Sequence, residues 1–232
     1  MSIHLRYELG RLLRKCGYRI TREYRWPEIH GNLLLLGFSL LRSRHHGLVQ
    51  IVQIGTFDEQ VADPFADILR LENVSAVLVK PQTIPYKALV VHCEGNPRIS
   101  LVNAAVAESD CLRPIISRIA QTTLIAWHHR RFRVMAEEVH RVVVHSMSVA
   151  SLLEAYQIKH VHILQIDTEG MDYDVLNWFF DANVQPAGIN CEHLHLDRRE
   201  RSGSRELLWT NGYWWIETSP DTFAMKEFLA QP

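Results

Sequence analysis

The sequence has no long apolar segment and little cysteine. Its longest apolar stretch, around Leu33 to Leu41, is too short to span a bilayer. The stretch Met1 to Arg25 mixes charged and apolar residues and lacks the apolar core of a signal peptide. None of the 4 cysteines lies in a C-x-x-C pair, which excludes a zinc knuckle and a redox motif. These absences predict free thiols in a cytoplasmic protein without stable membrane insertion.

An excess of charge of either sign is also absent. With 25 Lys and Arg against 26 Asp and Glu, the formal net charge is -1. Such a balance gives no general attraction to nucleic acid, so we predict no nucleic-acid partner and recognition at a local site. The 232 residues are 47% hydrophobic, enough to bury a full core. An oligomer is compatible with this composition.

Hydrophobic periodicity alternates between strand-like and helical segments. Strands are predicted at Leu48–Ile54, Ser75–Val79, Arg98–Val102, Val139–His145, Val161–Ile166, Ala187–Glu192 and Tyr213–Thr218. Helices are predicted at Leu5–Cys16, Leu33–Leu41, Gln60–Leu71, Ile84–Glu94, Val149–Gln157, Tyr173–Phe180 and Arg205–Asn211. Between them, Cys111 to Glu138 shows helical pieces without a clean period. This alternation predicts an α/β protein with a mostly parallel sheet covered on both faces, and residues 1–47 as a helical extension of domain 48–232.

The residues that follow the strands are the first candidates for a binding site. In a parallel α/β sheet the ligand lies at the carboxyl ends of the strands, near the topological switch point. Gly55 follows the first strand and permits close backbone approach to a ligand. Lys80 follows the second strand, where nucleoside-binding folds usually place an acidic residue. No G-x-G-x-x-G or P-loop pattern is present, which argues against a dinucleotide or triphosphate site.

Four carboxylates crowd the end of the strand Val161–Ile166. They fall within eight residues, at Asp167, Glu169, Asp172 and Asp174. Their mutual repulsion is unfavourable unless a cationic or protic ligand uses them. Asp172 and Asp174 are predicted to cap the following helix, and Asp167 and Glu169 are predicted to be functional.

Histidines and carboxylates follow the strand Ala187–Glu192. Glu192, His193 and His195 suggest general acid–base chemistry or a metal. The two histidines are expected to face the same way if the segment is extended. Because the chain has 13 histidines, any single one is more often structural, and no metal is predicted. A metal-dependent hydrolase that uses Asp167, Glu192, His193 and His195 stays open as a weaker alternative.

Several segments resemble, in order, the FkbM-type methyltransferases. Leu164 to Gly170 (LQIDTEG) resembles the family signature (I/L)-(K/Q)-I-D-x-E-G. Val52 to Asp58 (VQIGTFD) resembles the first motif V-x-I-G-A-N-D-G, and Ala76 to Gln82 (AVLVKPQ) resembles the L-V-E-P-x motif. The resemblance extends from about Leu48 to Glu217, and the ordered set of segments is more specific than any one of them.

The resemblance implies a Rossmann-like class I methyltransferase fold with a mostly parallel seven-stranded sheet and helices on both faces. It implies S-adenosylmethionine as cofactor, with S-adenosylhomocysteine as product, and O-methylation of a hydroxyl on a sugar, glycan or natural product. The implied cofactor-binding residues are Gln53, Gly55, Thr56, Asp58, Lys80, Pro81, Gln82, Asn103 and Asp167. Catalysis is implied for Asp167, Glu169, Glu192 and His193, with Asp167, Glu192 and His193 as alternative bases.

Three residues depart from the family pattern. Phe57 replaces the asparagine of the first motif, Glu59 replaces its second glycine, and Lys80 replaces the glutamate that binds ribose. Lysine cannot accept hydrogen bonds from hydroxyls. A catalytically inactive methyltransferase fold with an altered cofactor pocket, acting as a binding module, is therefore the alternative function.

Overall fold

The computed structural model describes residues 33–55, 68–117, 122–124, 140–218 and 220–226. All of them belong to one compact unit. Within these ranges no helix has the length and apolar character needed to cross a membrane. The predicted helix Leu5–Cys16 and most of the predicted helix Gln60–Leu71 lie outside the described residues; Ile68–Arg70 forms a 3-10 turn.

The described elements alternate along the chain much as the periodicity predicts. The helices are α1 (Leu33–Arg44), α2 (Thr83–His92), α3 (Val149–Ala155), α4 (Asp172–Asp181) and α5 (Arg198–Thr210). The strands are β1 (Val49–Ile54), β2 (Val74–Val79), β3 (Ile99–Val102), β4 (Ala105–Val106), β5 (Cys111–Ser117), β6 (Thr122–Leu124), β7 (His140–Met147), β8 (Ile163–Ile166), β9 (Gly188–Glu192), β10 (Tyr213–Glu217) and β11 (Asp221–Lys226).

Seven strands form the main sheet, in the order β10-β11-β9-β8-β1-β2-β3. The pairs β9–β8, β8–β1, β1–β2 and β2–β3 are parallel, and β11 is antiparallel to both of its neighbours. This is the seven-stranded, mostly parallel class I methyltransferase architecture, and the predicted fold class is confirmed. From β1 the chain builds outward to β2 and β3, then returns to add β8 on the other side. The topological switch point therefore lies between β1 and β8.

Helices cover both faces of this sheet, as predicted. On one face Val49 and Ile51 of β1 pack in a buried cluster with side chains of α1 and α2. On the other face Val52 and Ile54 pack in a second cluster with side chains of α3, α4 and α5. Alternation along β1 sends successive side chains to opposite faces, which explains its near-continuous apolar sequence. Each fully buried large side chain, such as Phe179 at 0% exposure, contributes about 1.5–3 kcal/mol.

Helix α1 packs closely on the sheet through Gly37. A Cβ placed there would lie 2.1 Å from Cζ of Phe223 on β11, so only glycine permits this approach. Leu34, Phe38 and Leu41 of α1 are buried in the same cluster as Phe223. This helix is thus part of the unit that contains the sheet, and the predicted boundary between residues 1–47 and 48–232 stays a prediction.

The stretch Cys111 to Glu138 departs from its helical interpretation. Its described parts are strands β5 and β6, which join a second sheet in the order β4-β7-β5-β6. Strand β5 pairs antiparallel with β7 over seven residues, from Cys111 opposite Ser146 to Ser117 opposite His140. Pairing with a distant strand determines the secondary structure of this segment, because its local sequence has no clear hydrophobic period.

Two further elements differ from the predicted ones. Helix α5 begins at Arg198 rather than Arg205, because Asp197 and Glu200 form a capping box that starts it in polar sequence. Its Gly203 lies against Tyr173 of α4, where a Cβ would come within 2.8 Å of the ring. Strand β11 was not predicted at all; it is inserted between β9 and β10 and contributes buried Phe223, Ala224 and Met225.

Candidate functional site

The carboxyl ends of four parallel strands lie side by side at the switch point. The backbone N–H of Asp167 donates to Ile54 O (2.8 Å), and the N–H of Gly55 donates to Val79 O (3.1 Å). The N–H of Lys80 donates to Val102 O (2.9 Å). The structure thus brings together the segments that follow β1, β2, β3 and β8.

Gly55 is required by the protein backbone itself. Its φ of +107° lies in the region that favours glycine. A Cβ at this position would lie 1.6 Å from the carbonyl oxygen of Asp167. The glycine therefore lets the end of β1 pass directly against the end of β8. Its predicted contact with a cofactor stays a prediction, and the predicted Thr56 and Asp58 lie outside the described residues.

The side chains after β2 and β3 are largely enclosed. Lys80 is only 8% exposed, and its positive charge lowers the pKa of Asp167. Asn103 donates from Nδ2 to Lys80 O (2.9 Å) and Pro81 O (3.2 Å), which ties the two strand ends together. Gln82 is buried directly before α2. These contacts enclose the ammonium group of Lys80 at a position where the resemblance implies a carboxylate.

Gln53 lies within the sheet rather than past its edge. It is 2% exposed and stands in register with Gln165 of β8. Gln165 in turn accepts a hydrogen bond of 2.9 Å from Nδ2 of Asn190 on β9. These buried amides form a polar row across three strands, two residues before Gly55.

The loop after β8 is held by Asp172. The backbone N–H groups of Thr168 and Gly170 each donate to its carboxylate at 3.1 Å. The prediction that Asp172 caps α4 is wrong in detail, since its carboxylate binds the loop before the helix; Asp174 lies in the first turn as predicted. Within this loop Glu169 has a φ of +56°, a left-handed conformation that costs on the order of 1 kcal/mol for a residue other than glycine.

The strained loop directs Glu169 toward the turn after β9. Its Oε2 lies 2.8 Å from Nε2 of His195, and this hydrogen bond raises the pKa of the imidazole. The same Nε2 lies 3.9 Å from Oε2 of Glu192. Oε2 of Glu192 is buried and has no hydrogen-bond partner among the described residues. An unpaired buried acceptor costs about 1–3 kcal/mol, so this oxygen destabilises the folded state.

Carboxylates around this point shift one another's protonation. Burial, followed by the charges of Asp167 and Glu169, raises the pKa of Glu192 to about 9. Burial, followed by the charge of Asp172, raises the pKa of Asp167 to about 7. Burial also raises the pKa of Asp172, to about 6, against the effect of its two backbone hydrogen bonds. These carboxyl groups at the ends of β8 and β9 therefore hold their protons to a higher pH than ordinary carboxyl groups do.

His193 does not join this cluster. Its Nδ1 lies 2.8 Å from Oγ1 of Thr222 on β11, and burial together with the charge of Arg201 lowers its pKa to about 4. The two histidines were expected to face the same way only if the segment is extended, and that condition is not met, because β9 ends at Glu192. The chain then turns, and the N–H of Leu196 donates to His193 O. The catalytic role assigned to His193 stays a prediction.

Two residues of the site were missed or undervalued by sequence reasoning. His195 was named with Glu192 and His193 but was not among the predicted catalytic residues, although a histidine three residues after a strand-end glutamate is a usable signal. Asp221 was absent because β11 was not predicted. It stands in register with Glu192, and its charge helps raise the pKa of that glutamate.

Comparison with known proteins decides the family. A family model described as "Methyltransferase FkbM domain" matches residues 70–229, more than half of the chain. The chain belongs to the FkbM methyltransferase family. The match begins after β1 and includes the loop with Asp167 and Glu169 and the turn with His195. No curated protein sequence matches the chain significantly.

Solved methyltransferase structures are similar to this chain over most of its length. One is a methyltransferase from Geobacter sulfurreducens, 12% identical, covering 97% of this chain and 91% of that one at a TM-score of 0.44. A human methyltransferase 10 domain containing protein is 11% identical and covers 97% and 96% at a TM-score of 0.46. The METTL16 MTase domain is 11% identical and covers 96% and 79% at 0.48. At these values the likeness carries no argument about function.

Membership of this family implies a cofactor of the S-adenosylmethionine type. The carboxyl groups at the ends of β8 and β9 fit the cationic end of such a molecule. Burial, followed by mutual repulsion, raises the pKa of Asp167 and Glu192, and a nearby sulfonium would reduce that repulsion. The end of β2 fits the ribose less well, since Lys80 offers only donors. The resemblance to the family assigns Asp167 and Glu169 to the side of the methyl group and the acceptor, and this assignment stays a prediction.

Proposed function

We propose that this methyltransferase transfers a methyl group from S-adenosylmethionine to a hydroxyl of a sugar, glycan or natural product. The observation that carries the proposal is the position of Asp167. Its backbone follows β8 directly at the switch point, hydrogen-bonded to the end of β1. Ligands of parallel α/β sheets bind in that crevice. A carboxylate in the crevice suits both a cationic cofactor and the proton of an acceptor hydroxyl.

Asp167 acts as the general base in this proposal. Its carboxylate takes the proton of the acceptor hydroxyl while the acceptor oxygen forms its bond to the methyl carbon. When bound, the cofactor supplies a methyl group on a cationic sulfur, which keeps the electron pair of the broken bond as a neutral thioether. Glu169 orders the turn beside the crevice through its hydrogen bond with His195. His193 supports the end of β9 through its bond with Thr222.

The first test is a thermal-shift titration of the full chain with S-adenosylhomocysteine, with calorimetry for the dissociation constant. At about one hundred times that constant the ligand should stabilise the fold by about 2.7 kcal/mol. Transfer of labelled methyl groups to a panel of polyhydroxyl compounds then identifies the acceptor class. The absence of any saturable shift at roughly millimolar ligand would contradict the proposal.

The alternative function is a binding module with a disabled cofactor pocket. The burial of Lys80 at the end of β2 favours it, together with the sequence departures at Phe57 and Glu59. A comparison of Lys80→Glu with the exposed control Lys159→Glu separates the two functions. If only Lys80→Glu responds to S-adenosylhomocysteine, the natural chain is the binding module. If the natural chain responds, the pocket accepts the lysine.

A further inference from the structure

Three side chains from two neighbouring strand ends converge beside Asp167. Glu169 follows β8, Glu192 ends β9, and His195 lies on the turn after β9. One oxygen from each glutamate and one ring nitrogen of the histidine lie within 4.8 Å of one another. Donor atoms bound to a single metal ion are separated by roughly 3–3.5 Å, since each metal–ligand bond is about 2.1 Å long. Small side-chain movements are enough to reach that spacing.

Glu192 gives an independent indication that a ligand belongs at this point. The whole residue is 9% exposed and its side chain 11% exposed. Its Oε2 has no hydrogen-bond partner in the described part of the chain, and it points at the Nε2 of His195 from 3.9 Å. A buried carboxylate oxygen without a donor is rare in native proteins and calls for an explanation such as a bound ion.

The charges around Glu192 favour a cation over any other ligand. Asp167, Glu169, Asp172 and Asp221 all act on it with negative charge. The nearest cationic group that it contacts among the described residues is the imidazole of His195, which is already hydrogen-bonded to Glu169. By contrast, Arg201 and Arg205 are engaged with Glu217. Lys80 offsets part of the charge at Asp167, but the causes that act on Glu192 all raise its pKa. A cation would reduce this repulsion, whereas an anionic or neutral ligand would not.

We propose that Glu169, Glu192 and His195 bind one divalent metal cation. Two carboxylate oxygens and one imidazole nitrogen form a mixed set that suits a first-row ion such as Mn²⁺. Three protein ligands leave coordination positions open, which is the pattern of catalytic rather than structural metal sites. A role follows that rests on the proposed methyl transfer: the cation binds the acceptor hydroxyl and lowers its pKa, and Asp167 receives the proton. Metal binding itself does not depend on that function.

The test is a titration of the chelator-treated full chain with Mn²⁺, followed by electron paramagnetic resonance of the free ion. We expect one Mn²⁺ per chain with a dissociation constant below about 100 µM. Glu192→Gln and His195→Ala should each weaken binding by about tenfold or more. The matched controls are Glu154→Gln on α3 and His160→Ala, both at exposed positions, and they should bind within about twofold of the natural chain.

Saturable binding lost only in the two site variants supports the metal site. Absence of saturable binding in the natural chain, or unchanged binding in the site variants, overturns it. Thermal unfolding with EDTA checks that the variants fold. Should His195→Ala fail to fold, Glu192→Gln decides, because it keeps the shape of the side chain and removes a repelled charge.

The proposed metal site and the proposed function can be contradicted independently of each other. Stabilisation by S-adenosylhomocysteine, measured with EDTA, reports on the cofactor pocket alone, whereas the Mn²⁺ titration reports on the metal site alone. The catalytic role has its own readout. Methyl transfer should fall by about tenfold or more with EDTA and return with Mn²⁺. Turnover unchanged by exhaustive chelation overturns the catalytic role even where Mn²⁺ binds.

Discussion

Glu192 and Glu217 are the last residues of two strands that run in the same direction in one sheet, yet their surroundings are opposite. Their side chains are 11% and 19% exposed. Glu217 accepts hydrogen bonds from Arg205 at 2.5 and 2.6 Å and from Arg201 at 2.7 Å. These arginines overcome the effect of burial and lower the pKa of Glu217 to about 2. Glu192 has carboxylates around it instead, and burial raises its pKa to about 9.

The difference separates a strand end that arginines neutralise from a strand end that they do not. Around Glu217, two arginines of α5 neutralise the strand end and fix the helix on β10. Around Glu192, the protein leaves a buried carboxylate unpaired at a cost in stability. Natural proteins retain such local costs mainly where a site uses them. A cationic ligand is therefore expected at the ends of β8 and β9, where Asp167, Glu169 and Glu192 lie close together.

The largest expected effect is the loss of methyl transfer in Asp167→Asn, at the end of β8. Loss of the general base should reduce methyl transfer by about 10²–10⁴-fold, with folding retained because a repelled carboxylate has been removed. Single-turnover assays with labelled S-adenosylmethionine measure it. The control Asp181→Asn removes the same charge at an exposed position of α4 and should leave turnover unchanged. Turnover of Asp167→Asn equal to that of the control would remove Asp167 from the mechanism.

Glu217→Gln tests how much the ion pairs at the end of β10 stabilise the fold. It leaves Arg201 and Arg205 without their shared carboxylate, so the free energy of unfolding should fall by about 2 kcal/mol. The partial exposure of both arginines keeps this below the value for a fully buried pair. Urea denaturation at pH 7.5 measures the change. An unaltered unfolding midpoint would mean that these ion pairs are fully compensated by solvent.

Glu192→Gln makes the same chemical change at the end of β9, and its effect on the free energy of unfolding should have the opposite sign. Measured with EDTA at pH 7.5, it should raise the free energy of unfolding by about 1 kcal/mol, because it removes an unpaired buried carboxyl from among other carboxylates. The direct comparison with Glu217→Gln in one buffer is its control. Destabilisation by Glu192→Gln would show that this carboxyl has a structural partner.

The smallest effect is a difference in pH dependence. Glu192 has a folded pKa above its unfolded value of about 4.5, so the native state holds an extra proton between about pH 4.5 and pH 9. Stability therefore falls with rising pH through that window, and in Glu192→Gln the fall should be shallower. Glu217 has a depressed pKa, so its contribution is present above about pH 4.5 and is lost as the pH falls toward 2. Parallel slopes for the natural chain and Glu192→Gln would contradict the first assignment.

Much of the fold follows from local sequence. The β-branched run of β1 and the apolar–polar periods of α3 and α4 predict these elements because each buries its apolar residues in a way that its own period encodes. The ordered family motifs implied a mostly parallel seven-stranded sheet, which the structure confirms. Strands β5 and β11 could not be predicted this way, since pairing with β7 and with β9 and β10 stabilises them more than any local preference does.

For the site, the sequence by itself determined which residue types follow each strand: Gly55 after β1, Lys80 after β2, Asp167 and Glu169 after β8, and Glu192 after β9. A parallel sheet brings such positions to one edge, so their proximity was predictable. Only the tertiary structure decided that His195 meets Glu169 while His193 turns to Thr222, and that Asp221 stands beside Glu192. These contacts depend on a turn after β9 and on an antiparallel strand inserted from the end of the chain. The pKa of each group depends on the sum of the charges that surround it in space, so these pKa shifts cannot be predicted from the sequence alone.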